Sequence, residues 1–146
     1  MGVDARIDVI TLAVSDLEQA HAFYRDGLGL ESRGIVGAQF EGTDDQPAGA
    51  IAMFELEGGG LLNLYPRSEL AKDARVPQAD PAGAGFSLGQ LVGSREAVDA
   101  LLGRAQAAGA TVTEPPHERP WGIYSGYFRD PDGHLWEVIW NPGGAG

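Results

Sequence analysis

The sequence predicts an α+β fold in which two βαβββ modules form a curved mixed sheet, an open barrel, around a cavity. Strand and helix signals run in the same order twice along the chain. A shift of 78 residues places Val9 on Ser87, Val14 on Val92, Ala20 on Val98 and Phe23 on Leu101, and a shift of 74 places Leu62-Asn63-Leu64 on Trp136-Glu137-Val138. Glycine supplies 22 of the 146 residues, about twice the usual share of roughly 7%, which suits frequent turns between short elements. Each half has one amphipathic helix that needs a sheet, and a sheet too small to stand alone.

The first module, residues 1–66, opens with Asp8 to Val14, β-branched and apolar on both faces, which predicts a strand covered on each side. Ser15-Asp16-Leu17-Glu18 reads as a capping box with Ser15 as cap, and Leu17, Ala20, Phe23 and Tyr24 then recur at helical spacing until Gly27 and Gly29. Strands are expected at residues 31–36, 48–56 and 61–65, separated by glycine-bearing turns and by the acidic, solvated loop around Asp44-Asp45. Residues 67–84 shift to Pro, Ala, Asp and Gly and read as a linker, with one helical turn available at residues 68–72.

The second module, residues 85–146, restarts with a strand at 86–92, then Ser94 as the cap of a helix whose Val98, Leu101, Leu102 and Ala105 share one face. Gly109 ends it. Strands follow at 111–113, 124–129 and 135–140, the last two joined by Asp130-Pro131-Asp132-Gly133, a type I turn with a left-handed residue at its end. The Gly143-Gly144-Ala145-Gly146 tail is expected to fray.

Composition narrows the function. With no cysteine, disulfides, thiolate zinc sites and thiol nucleophiles are excluded. A net charge of −11 disfavours nucleic acid and anionic membrane partners and favours a neutral, cationic or metal-bound ligand. No long apolar run predicts a membrane span, and a start without a basic region and cleavage pattern makes a cytoplasmic location the default expectation. Gly58-Gly59-Gly60 precedes a strand rather than a helix, so it is not a nucleotide-binding loop.

Two segments resemble the vicinal oxygen chelate superfamily of glyoxalase I, fosfomycin-resistance transferases, extradiol dioxygenases and bleomycin-resistance proteins. They are Ile10 to Glu18 with Phe23-Tyr24-Arg25-Asp26-Gly27-Leu28-Gly29-Leu30, and Gly126 to Val138 with Asp130-Pro131-Asp132-Gly133-His134 at its centre. The resemblance implies a metal site with one His, Gln or Glu from the first and last strand of each module. Those positions hold Val9, Asn63, Ser87 and Glu137, of which only Glu137 matches. The cofactor is accordingly open: none, or a weakly bound divalent metal with Glu137 as its one carboxylate. Homodimerisation is a further implication of the resemblance.

Around that set, Glu137 lies between Leu135 and Ile139 on one strand face. It is the candidate catalytic residue, as general base or protonated donor, or else a carboxylate paired with an Arg or a backbone amide. The candidate ligand-binding residues are Val9, Thr11, Asn63, Ser87, Gln90, Trp121 and Tyr124. Val9, Thr11 and Ala13 give a small, mostly apolar face suited to a binding cavity. Gln90 reaches the same face as Ser87 only if a bulge at Gly89 turns it inward. His117 to Tyr124 forms either a rim over the cavity with Trp121 and Tyr124 as stacking surfaces, or a surface loop anchored by a buried Trp121. His21 and His134 read as solvent-facing. Two functions follow: a protein that holds a small organic molecule, similar to the bleomycin-resistance branch, or a lyase, isomerase or dioxygenase using Glu137 with help from Gln90 or His117.

Overall fold

The computed structural model describes residues 6–78 and 85–143. The predicted frayed residues 144–146 and residues 79–84 of the predicted linker lie outside them. Two compact units divide between α2 and β5, and each is built on one four-stranded mixed sheet.

In the first unit the order is β1 (Val9–Val14), α1 (Leu17–Ala22, continuing through the wider π turn Phe23–Gly27), β2 (Ser32–Val36), β3 (Ile51–Glu55), β4 (Leu61–Pro66) and α2 (Arg67–Ala74). The strands lie side by side as β1-β4-β3-β2, with β1 parallel to β4 and the other neighbours antiparallel. Leu12, Leu64, Ala52, Leu62 and Phe54 alternate onto one face and are almost wholly buried. Each of the leucines and Phe54 contributes about 1.5–3 kcal/mol by leaving water. Tyr24 on the π turn meets Phe54 at 6.0 Å between ring centroids.

Four expectations change here. Asp16, not Ser15, is the N-cap: its side chain accepts from the Gln19 amide at 3.0 Å, because its extended backbone places the carboxylate over the first turn. The first strand is covered on both faces only at its end; Val9 is 47% exposed and Thr11 is exposed, while Leu12 to Val14 are buried. His21 is not solvent-facing but 5% exposed, with Nε2 2.6 Å from Ser32 Oγ and its ring 5.7 Å from Phe54. Apolar residues three and four positions away turned that helix face inward, and the polar residue at 21 was carried with it. The segment read as a linker opens with the eight-residue α2 rather than a single turn, ended by Arg75 in the left-handed region at φ 57°.

The second unit runs β5 (Leu88–Leu91), α3 (Arg95–Ala107), β6 (Thr111–Glu118), a short 3-10 turn (Pro120–Gly122), β7 (Tyr124–Arg129) and β8 (Leu135–Trp140). The sheet order β5-β8-β7-β6 repeats that of the first unit. Ser94 caps α3 by accepting from the Ala97 amide at 3.0 Å, as the sequence predicts. Val98, Leu102 and Ala105 pack onto the sheet face carrying Phe128 and Val138. The β7–β8 turn is held by Asp130, whose Oδ1 accepts from the Asp132 and His134 amides at 3.0 and 2.8 Å, and Gly133 sits at φ 91°. His134 is half-buried in that turn.

β6 is longer than expected, running through Pro115-Pro116 to Glu118. The two prolines give up ladder donors, and the register slips between Val112 and Glu114 and between Glu114 and His117. β5 is shorter than expected, and its ladder to β8 is regular, with no bulge at Gly89. The duplication inferred from the sequence holds in register: Thr11 pairs with Asn63 as Gly89 pairs with Glu137, at the same shifts of 78 and 74 residues.

Candidate binding face around Glu137

Strand alternation and the tight β7–β8 turn build one polar face on the second sheet. The turn pairs Arg129 with Leu135 and so brings Tyr127 opposite Glu137 and Ser125 opposite Ile139. On the outer strand, Glu114 pairs with Tyr127 and His117 with Ser125. Gly89, Glu137, Tyr127 and Glu114 thus form one row across the four strands.

Within that row Glu137 is the centre of a directed hydrogen-bond chain. Arg119 Nε donates to Ser125 Oγ at 2.6 Å, and its second nitrogen lies 3.4 Å from the Ser125 carbonyl. Ser125, fully buried at 0% exposure, donates to Glu137 Oε2 at 2.8 Å. The Tyr127 phenol also donates to the carboxylate, and the Arg119 guanidinium lies 5.4 Å from the Tyr127 ring centroid. Burial first, then the charge of Glu137 and this hydrogen bond, push the Tyr127 phenol above the usual tyrosine range, while Arg119 acts the other way. A carboxylate offers about four acceptor positions, so two donors leave Glu137 able to receive more. Beside it, His117 Nε2 is 3.4 Å from Glu114 Oε2, and both side chains are about half exposed.

The other expected site residues are placed differently. Asn63 occupies the corresponding row of the first sheet, Thr11, Asn63, Met53 and Gly34. It is 8% exposed, and its Oδ1 is a buried acceptor with no partner. Val9 lies two residues before Thr11 on that face. Ser87 is exposed and precedes β5, so it stands outside the ladder. Gln90 pairs with Val138 and belongs to the face opposite Glu137; its amide reaches the Leu91 carbonyl at 3.4 Å. Tyr124 also belongs to the opposite face: its hydroxyl donates to Asp99 Oδ1 of α3 at 2.7 Å, and Arg95 lies over its ring at 4.9 Å. Trp121 anchors nothing. It is 91% exposed at the tip of the β6–β7 loop, with φ 64°, and the Arg119 amide closes that loop onto the Ile123 carbonyl at 2.7 Å.

Arg119, Ser125 and Tyr127 were not predicted as site residues. For Ser125 and Tyr127 the signal was present in the Asp130-Pro131-Asp132-Gly133 turn, since a hairpin of that length fixes which β7 residues face Glu137, whereas nothing in that turn points to Arg119. A groove of about 470 Å³ opens between α3 and β6, with Asp99, Leu102, Gln106 and Pro116 among its lining residues. It involves none of the Glu137 chain.

The family's metal does not fit these residues. Val9 has no donor atom, Asn63 offers a neutral amide, Ser87 stands outside its strand, and the Glu137 carboxylate is already held by Ser125 and Tyr127. Among the described residues, no three His, Asp or Glu side chains group to hold a metal ion.

The fold has many solved relatives. A glyoxalase-related enzyme from Fulvimarina pelagi is 28% identical, with a TM-score of 0.78 over 94% of this chain and 89% of its own. A lactoylglutathione lyase from Agrobacterium tumefaciens is 26% identical, with a TM-score of 0.62 over 97% of this chain and 98% of its own. TioX from Micromonospora sp. ML1 is 25% identical, with a TM-score of 0.59 over 91% and 96% of the two chains. No curated protein matches by sequence. The family description that matches residues 6–138 is Glyoxalase/Bleomycin resistance protein/Dioxygenase superfamily. With the repeated βαβββ order, the matched registers and this span, the chain belongs to the glyoxalase/bleomycin resistance protein/dioxygenase superfamily.

Proposed function

We propose that this protein binds a small organic molecule carrying a cationic or donor-rich group, and that Glu137 receives that group. The observation that carries this reading is the one-way chain from Arg119 through Ser125 to Glu137, which holds the carboxylate as an acceptor with positions left over. A fixed acceptor binds a donor without reorganising at the moment of contact, so less affinity is lost to ordering. The net charge of −11 adds a long-range preference for a cation.

Benzamidine is a suitable probe, since its amidinium presents two parallel N–H donors to a carboxylate. Titration calorimetry is expected to give saturable binding to the wild type, about tenfold or more weaker binding to Glu137→Gln, and none to the neutral analogue benzamide. Equal affinity of the wild type and Glu137→Gln contradicts the assignment.

A further inference from the structure

Two glycines in the second sheet have opposite explanations. A Cβ on Gly126 would fall 2.7 Å from Leu102 Cδ1, 2.9 Å from the Glu114 carbonyl oxygen and 2.9 Å from the Pro116 nitrogen, so the packing of α3 and β6 excludes any side chain there. Gly89 has no such reason. Its φ is not among the positive values, and a Cβ would meet only Ile139 Cδ1 at an ordinary 3.6 Å. Glycine in a strand interior weakens the strand and leaves nothing to pack, and where the backbone does not demand it, it marks a close approach by something else. Gly89 stands directly beside Glu137 in the parallel β5–β8 ladder, on the same face, and is exposed. The first module has Thr11 at the matching place beside Asn63, so the fold accepts a β-branched residue there.

We infer that Gly89 is a specificity-determining position: it keeps the floor beside Glu137 flat, so that the planar body of a ligand anchored on Glu137 lies against the β5 backbone. The inference rests on the proposed role of Glu137. The surroundings suit a flat apolar body, because Leu91, 47% exposed, shares the face two residues along, and its partner across the ladder, Ile139, lies two residues from Glu137 on β8. The ligand class is an aromatic or heteroaromatic ring bearing an amidine-like or amine donor group, lying in the space that a side chain at 89 would fill.

The test is a graded series, Gly89→Ala and Gly89→Thr, beside Glu137→Gln, with benzamidine and the non-planar cyclohexanecarboxamidine as probes and thermal melts for each variant. Expected are melting temperatures for both Gly89 variants at or above the wild type, affinity for benzamidine reduced modestly by Ala and about tenfold or more by Thr, and a wild-type preference for the planar probe that Thr abolishes. Wild-type affinity in Gly89→Thr, with binding lost in Glu137→Gln, overturns this inference and leaves the role of Glu137 standing. A lowered melting temperature in Gly89→Ala also overturns it, since the glycine then serves the fold. Absence of saturable benzamidine binding to the wild type overturns the reading of Glu137 and this inference with it.

Discussion

The Ser125 hydroxyl donates to Glu137 Oε2 at 2.8 Å while its own oxygen accepts from Arg119 Nε at 2.6 Å, a direction set by a guanidinium that only donates and a carboxylate that only accepts. A single buried hydroxyl therefore transmits the position of a half-buried arginine to the carboxylate, and it does so from a strand interior where side chains have little freedom.

Removing that hydroxyl leaves a guanidinium N–H and a carboxylate oxygen without their partner. Ser125→Ala is expected to destabilise the protein by about 1–3 kcal/mol, seen by calorimetry as a lower melting temperature, and to weaken benzamidine binding as well. Unchanged stability would show that the chain is not formed in solution.

Tyr127 gives a spectroscopic handle on the same face. Its phenol is held above its ordinary value of 10.0 by burial, by the charge of Glu137 and by their hydrogen bond. Because the folded value is raised, this contribution to stability is complete below the unfolded value and is lost as pH rises through the folded one. Tyr65 and Tyr124 are raised as well, so an alkaline titration followed at the tyrosinate absorption band is expected to show several late-ionising tyrosines, one of which is lost in Tyr127→Phe and moves to lower pH in Glu137→Gln. A titration curve unaltered by Glu137→Gln contradicts the contact.

On the first unit, His21 is held below its ordinary value of 6.5, first by burial and then by Arg25, with Glu18 and Asp26 acting against them. The unfolded chain then binds the proton more readily than the folded one. The contribution of neutral His21 is complete above the unfolded value and is lost as pH falls below it, through the folded value. Between about pH 8 and about pH 5 the melting temperature is expected to fall more in the wild type than in His21→Gln. Parallel curves for the two proteins would contradict a buried, neutral His21.

Trp121 tests the loop. A non-glycine residue at φ 64° carries backbone strain of about 1 kcal/mol, and an indole 91% exposed has little packing to lose. Trp121→Gly is expected to melt at or above the wild-type temperature. A clear loss of stability would mean that the indole packs against the protein.

Much of this architecture is legible in the sequence because periodicity and turns are local signals. The 78 and 74 residue shifts recover the paired registers of both sheets, and the β7 and β8 bounds follow from their alternation and the Asp130-Pro131-Asp132-Gly133 turn. What escaped depends on contacts distant in sequence or on backbone detail. Ser15 and Asp16 are both good caps, and the choice falls to Asp16 because it is the extended residue directly before the first turn, with its carboxylate on the Gln19 amide. The helical period turns His21 inward, but the partners that satisfy it there, Ser32 eleven residues on and the Phe54 ring, are not announced by any local pattern. The sequence puts Tyr124 in a rim loop beside Trp121 as a stacking surface, yet it is the first residue of β7, one from Ser125, and so belongs to the other face. The register slips in β6, one of them across Pro115 and Pro116, bring Glu114 and His117 against one another despite a three-residue spacing that a regular strand would split between faces.

The most direct test of the whole account is a crystal structure of the protein with benzamidine. The amidinium is predicted to lie within hydrogen-bonding distance, about 3 Å, of the Glu137 carboxylate, with the ring flat over Gly89 and the Ser125 and Tyr127 hydrogen bonds intact. Benzamidine bound elsewhere, in the α3–β6 groove for example, with Glu137 untouched, would contradict it.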